Sequence, residues 1–152
     1  MPNNLEASID IAASPEKVWA VLSDLRRMPE LSPPTFKVLT SRNPKPGSFM
    51  VNVNKVSWWK IYPTTSRVVR FEPNKAIAFK MNENGTTWTY ELTPTATGGT
   101  HVVETRTVGP KGLPKWLLVA INALMGGEKQ FESDLTRGME ETLAKLKTIA
   151  EH

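Results

Sequence analysis

Residues 113–151 constrain this chain more than any other stretch. Phe131, Leu135, Met139, Leu143, Leu146, Ile149 and Ala150 fall on one side of a helical projection, with Gly138 and Thr142 inside the same stripe. Ser133, Arg137, Glu140, Glu141, Lys145, Lys147 and Thr148 fall on the other. Apolar residues at three- and four-residue spacing, opposite a charged face, describe an amphipathic helix laid along an apolar surface. Upstream, residues 116–125 are apolar at every position except Asn122. One helix over 114–150 would be on the order of 55 Å long at 1.5 Å per residue. No other segment is long enough to be its equal partner. It must lie on something wide, and what the rest of the chain can build is a β-sheet.

The 152 residues suit one domain, 1–152, large enough to bury a core. A 39% hydrophobic and 22% charged composition is that of a globular chain. There is no cysteine, which removes disulfides, thiolate metal sites and cysteine nucleophiles, and fits a reducing cytoplasm. The first residues carry no basic run followed by an apolar core, so no signal peptide is expected. The apolar run at 116–125 falls short of the ~20 residues that span a bilayer, so no stable membrane insertion is expected. The net charge of +4 comes from scattered basic residues without an Arg/Lys run, so nucleic acid is not an expected partner.

In chain order, Leu5, Ala7, Ile9 and Ile11 alternate with Glu6, Ser8 and Asp10, the pattern of a half-buried strand. Ser14 then suits an N-cap, Pro15 the first helical position and Glu16 the positive helix end. Val18, Val21, Leu22 and Leu25 form that helix's inner stripe. A second short helix is expected over 26–31, limited by Pro29 and ended by Pro33-Pro34. Strands are expected over 35–41, 48–56, 58–62 continuing past Pro63 through 67–71, 76–81, 86–93 and 100–108. Pro63 suggests a bulge or an edge position, and Asn84-Gly85 a hairpin turn. The sum is an α+β chain: strand, two short helices, a curved antiparallel sheet completed to six or seven strands, and a long C-terminal helix.

Three strings carry a resemblance: Ile9-Asp-Ile-Ala-Ala-Ser-Pro-Glu-Lys-Val-Trp-Ala-Val-Leu-Ser-Asp24, Gly98-Gly-Thr-His-Val-Val-Glu104 and Gly138-Met-Glu-Glu-Thr-Leu-Ala-Lys-Leu-Lys147. In this order they resemble the START-like, or Bet v 1-like, superfamily, and within it the polyketide cyclase/dehydrase and lipid-transport branch. Many relatives have Trp shortly after the first helix, where this chain has Leu31. The resemblance implies a helix-grip fold, with a curved sheet wrapped around the long helix and a cavity between them for lipids, polyketides or other apolar molecules. Simple geometry agrees, since a curved sheet and a straight helix cannot touch along their whole length.

The strand residues suggest what lines such a cavity. If the hairpin closing at 93–100 sets Leu92 opposite Val102, then Tyr90 faces Glu104 and Trp88 faces Arg106. Glu104 and Arg106 would then orient a polar group on an otherwise apolar ligand. The plainer alternative is a slipped register, or a structural ion pair near the open end of the sheet. One of Trp58 and Trp59 faces inward by alternation. The expected ligand-binding set is Trp58, Phe79, Trp88, Tyr90, Glu104, Arg106, Leu135 and Met139. Met50, Met81, Met125 and Met139 suit a pliable wall or ordinary core. Gly138 on the inner stripe implies close packing or room for a ligand.

Catalytic chemistry is not assigned. His101 sits at a strand start with no second histidine nearby, so no metal site and no cofactor are expected. The serines lack a nucleophile-elbow context, and the paired glycines do not form a phosphate loop. Three functions follow. The first is a carrier or sensor of a small hydrophobic molecule. The second is an aromatase/cyclase-type enzyme using Glu104, Arg106 and Tyr90 in the same cavity. The third is a protein-interaction domain like the Hsp90-activator relatives. Residues 116–125 would roof the cavity, contact a second subunit as a homodimer, or touch a membrane during ligand exchange. Gly126-Gly127 is placed for a kink or a break between two helices.

Overall fold

The computed structural model describes residues 4–31, 35–40, 45–57, 60–82, 85–108 and 128–152, with side chains at all of these except 35, 36, 55–57, 60–62 and 128–131. The expected Trp58 and Trp59 lining, the 116–125 surface and the Gly126-Gly127 break lie outside the described residues.

Seven strands form one antiparallel, curved sheet: β1 (Leu5–Ile11), β2 (Thr35–Leu39), β3 (Phe49–Ser57), β4 (Lys60–Glu72), β5 (Ala76–Met81), β6 (Thr87–Pro94) and β7 (Thr100–Thr107). Their order is β1-β7-β6-β5-β4-β3-β2, so β2 to β7 form a meander of hairpins and β1 closes beside β7. Between β1 and β2 the chain makes α1 (Pro15–Leu22), a 3₁₀ turn at Leu25–Arg27 and α2 (Met28–Leu31). The last helix described, α3 (Glu128–Glu151), packs along β1 and across α1 and α2. This is the helix-grip arrangement.

Local chemistry explains the elements. Ser14 caps α1, its Oγ accepting from the Lys17 N–H at 3.3 Å, with Pro15 in the first turn. Pro29 lies inside the one-turn α2 and does not end it, as a first-turn proline lacks only an N–H that has no partner there. Strand β1 alternates half-buried and exposed as its sequence does. The expected strand through Pro63 is the continuous β4, which the structure describes from Lys60 to Glu72 and in which Pro63 pairs in register with Val53. Among the described residues the β4–β5 ladder starts at Ser66, three residues past Pro63. The bulge in β4 falls between Val68 and Arg70 instead.

Helix α3 divides the interior. Its C-terminal half is solid: Leu143, Leu146 and Ala150 are buried against Val18, Leu22 and the sheet residues Ile11, Leu92 and Val102. Trp19 meets Phe71 edge-on at 5.1 Å in the same core. The helix end is tied to the β1–α1 turn, where Glu151 accepts from the Ala12 N–H at 2.8 Å and Lys147 donates to the Asp10 carbonyl at 3.2 Å. The N-terminal half of the described helix, around Leu135 to Thr142, does not meet the sheet in this way. It faces a hollow.

Candidate functional site

The hollow is a cavity of about 390 Å³ between the sheet and α3. From β5 and β6 come Phe79, Met81, Trp88 and Tyr90; from β7, Glu104; from α3, Leu135, Gly138, Met139 and Thr142. Met28 and Met50 close it toward the core. On the opposite wall stand Asn52, Asn54 and Thr64 of β3 and β4, and Asp134, Arg137 and Glu141 line it from α3.

Strand register places the polar centre. Tyr90 pairs across the ladder with Glu104, Trp88 with Arg106 and Leu92 with Val102, which is the pairing the hairpin sequence implies. Phe79 pairs with Trp88 on the other side of β6. The Phe79 and Tyr90 rings stand 6.1 Å apart. The Tyr90 hydroxyl donates to Glu104 Oε2 at 3.0 Å. Glu104 is only 2% exposed, and its Oε1 has no hydrogen-bond partner among the described residues. Burial pushes the Glu104 carboxyl up to about 8, against the Tyr90 hydrogen bond, which lowers it. The side chain is therefore largely neutral at neutral pH, because ionising it in an apolar wall costs more than one hydroxyl returns. Burial also raises the Tyr90 phenol well above its ordinary value, so Tyr90 stays a donor.

Arg106 behaves differently from the expectation. It is as buried as Glu104, but it does not line the cavity. Its guanidinium lies 3.5 Å from Glu132 on α3, at a position 15% exposed. Burial lowers the Arg106 pKa and the Glu132 charge opposes this. The contact joins β7 to the helix, so Arg106 acts in the grip and Glu104 in the hollow.

Of the other residues expected to line the cavity, Phe79, Trp88, Tyr90, Leu135 and Met139 stand on its wall. A Cβ built on Gly138 would meet nothing within 4 Å, so this glycine gives room and does not mark close packing. His101 lies away from the cavity, paired with Asp10 at 2.6 Å. No group of three or more metal-ligating side chains occurs among the described residues. No helix among them is long and apolar enough to cross a membrane.

Sequence reasoning missed Asn52, Asn54 and Thr64. The string Met50-Val-Asn-Val-Asn54 looks like a strand with valines inward, yet Asn52 and Asn54 are buried and Val51 and Val53 only half-buried. Asn52 Nδ2 donates to Ser66 Oγ at 3.1 Å, and Asn54 Nδ2 to Thr64 Oγ1 at 2.8 Å. Met50 was the available signal: it shares a strand face with both asparagines, and it is buried at 1% exposure.

A curved antiparallel sheet gripping a terminal helix, hollow beneath its middle, defines a START-like domain. The chain belongs to the polyketide cyclase / dehydrase and lipid transport family, whose model matches residues 3–151. Solved structures share the fold. The Zhui aromatase/cyclase from Streptomyces sp. R1128 is 22% identical, with a TM-score of 0.75 over 99% of this chain and 94% of its own. The di-domain aromatase/cyclase StfQ from the steffimycin biosynthetic pathway is 19% identical, with a TM-score of 0.72 over 97% of this chain. This chain spans 50% of StfQ's length. The polyketide-cyclase-like protein Cgl2372 from Corynebacterium glutamicum is 27% identical, with a TM-score of 0.62 over 99% of this chain and 94% of its own. No curated protein sequence matches the chain. Family and fold together support a hydrophobic-ligand-binding domain.

Proposed function

We propose that residues 1–152 act as one ligand-binding domain, a carrier or sensor that holds a small, mainly apolar molecule in this cavity. Phe79, Trp88, Leu135 and Met139 would hold its body, and the Glu104–Tyr90 pair would anchor one polar group. The observation that carries this reading is the hollow itself, with space left at Gly138 where the same helix is tightly packed two turns later. Its volume lies in the range of small-molecule sites. The test uses the neutral fluorescent probe N-phenyl-1-naphthylamine. Its emission should rise on binding, and Gly138→Phe, which fills the hollow, should weaken binding roughly tenfold or more. Native mass spectrometry of the purified protein should show a co-purified apolar molecule that Gly138→Phe excludes. A probe that does not bind, or that binds Gly138→Phe equally well, overturns the reading.

One observation favours the enzyme as a second reading. A buried carboxyl titrating at about 8, with a phenol behind it, is poised for proton transfer near neutral pH. A cyclase using Glu104 would lose turnover in Glu104→Gln while still binding its ligand; retained turnover would exclude Glu104 as its acid or base.

A further inference from the structure

We infer that the polar group this cavity takes is a basic nitrogen, so that its ligand is an apolar body bearing an ammonium group. The inference rests on the cavity reading above and specifies the chemistry of its anchor. The first observation is Glu104 Oε1, a buried carboxyl oxygen without a hydrogen-bond partner among the described residues, which becomes an open acceptor when Glu104 ionises. Tyr90 already holds Oε2, so the open oxygen is the one left for a ligand. The second is charge. The chain as a whole is +4, but the exposed groups that border the cavity from α3 are two carboxylates, Asp134 and Glu141, and one guanidinium, Arg137, and Glu104 adds a third carboxylate when it ionises. Arg137 stands 3.8 Å from Asp134 on its own helix face. The third is the aromatic wall. Phe79, Trp88 and Tyr90 line the space beside Glu104, and ring faces attract a cation that has left water. A carboxylate ligand would meet Asp134 and Glu141 at the edge of the cavity and could not draw Glu104 into its charged form.

The proton balance is definite. The groups around Glu104 are Tyr90 from β6, which donates to it; Ala7 opposite it on β1, which does not titrate; Arg106 on its own strand, facing Glu132; and Asp134, Arg137 and Glu141 from α3. Near pH 7 the free site holds a protonated Glu104. When R–NH3+ enters, Glu104 gives its proton to solvent, and the carboxylate accepts from the ammonium at Oε1 and from Tyr90 at Oε2. Binding of the amine therefore releases close to one proton, and its affinity rises as pH climbs toward about 8. A neutral ligand releases none.

The experiment displaces N-phenyl-1-naphthylamine with three probes of one shape: 4-(1-naphthyl)butylamine, the matching butanol and the matching butanoic acid. The amine should bind roughly tenfold or more tightly than the alcohol, and the acid weakest. Glu104→Gln, close in shape, should erase the amine's advantage. Calorimetry of the wild-type protein in buffers of different ionisation enthalpy should show proton release for the amine alone, which keeps the test valid if the variant does not fold. An alcohol that binds as tightly as the amine, an advantage that survives Glu104→Gln, or amine binding without proton release overturns the inference and leaves the cavity reading intact. If the fluorescent probe itself does not bind, both fall.

Discussion

The two long walls of the cavity are built by the same device, an antiparallel hairpin, and obey opposite rules. In β6–β7, the bulky residues Trp88, Tyr90 and Leu92 point inward, and Thr87, Thr89, Glu91 and Thr93 alternate with them. In β3–β4, the valines turn away and Asn52, Asn54 and Thr64 face the hollow. The difference teaches what the inner face is for at each place. Where the sheet meets α1 and the end of α3, its inner residues must exclude water. Where helix and sheet part, a polar inner residue can be hydrogen-bonded to its neighbour strand and still face a space, so burial no longer requires an apolar side chain.

The β6–β7 wall breaks most readily at Gly99. A Cβ there would lie 2.5 Å from the Ile11 carbonyl oxygen, a backbone atom that cannot rotate away. Gly99→Ala should cost roughly 3 kcal/mol or more in urea unfolding; a variant as stable as the parent would mean that the β1–β7 seam is looser than described. Glu104 supplies the next effect. Its folded pKa of about 8 stands above the ordinary 4.5, so between those values the folded chain keeps a proton that the unfolded chain has released. Stability from the neutral form is full below about pH 4.5 and falls as pH rises to about 8, with a slope of up to about 1.4 kcal/mol per pH unit. Urea midpoints from pH 5 to 8 should decline, and the decline should flatten in Glu104→Gln; equal slopes in both proteins would count against a buried neutral carboxyl.

The opposite wall should respond more weakly. Asn52→Leu strands the Ser66 hydroxyl, itself 1% exposed, at a cost of about 1–2 kcal/mol. Adding Ser66→Ala should restore most of it, because both partners are then apolar. A double variant as unstable as the single one would show that Asn52 serves the fold and not the hollow. Smallest of all is Gly138→Ala, expected to raise stability by up to ~1 kcal/mol through helix propensity, since its Cβ enters open space. A loss of stability would mean that the hollow is narrower at that turn.

The same two walls mark how far a sequence can be followed. The β6–β7 register was legible because the turn at Thr97-Gly98-Gly99 is strongly marked, and one correct pair fixes every other through the two-residue period. The β1 alternation, the Ser14 cap and the α3 stripe were legible for the same reason, each being a local pattern with one period. Met50-Val-Asn-Val-Asn54 was not, because its hydrophobic alternation points the wrong way unless the hollow is known. Pro63 was ambiguous because whether a strand position is an edge depends on where the neighbouring strand begins. Arg106 could be placed on the inner face from register, but its partner Glu132 lies on a helix 26 residues further on.

By itself the sequence determined the kind of fold, because periods of two and of three to four leave a sheet and one long helix that must bury each other. Tertiary structure alone decided where the two part company. That separation left Glu104 with one open oxygen, turned two asparagines inward and gave Gly138 empty space, since the distance between a curved surface and a straight rod is a property of neither strand nor helix alone.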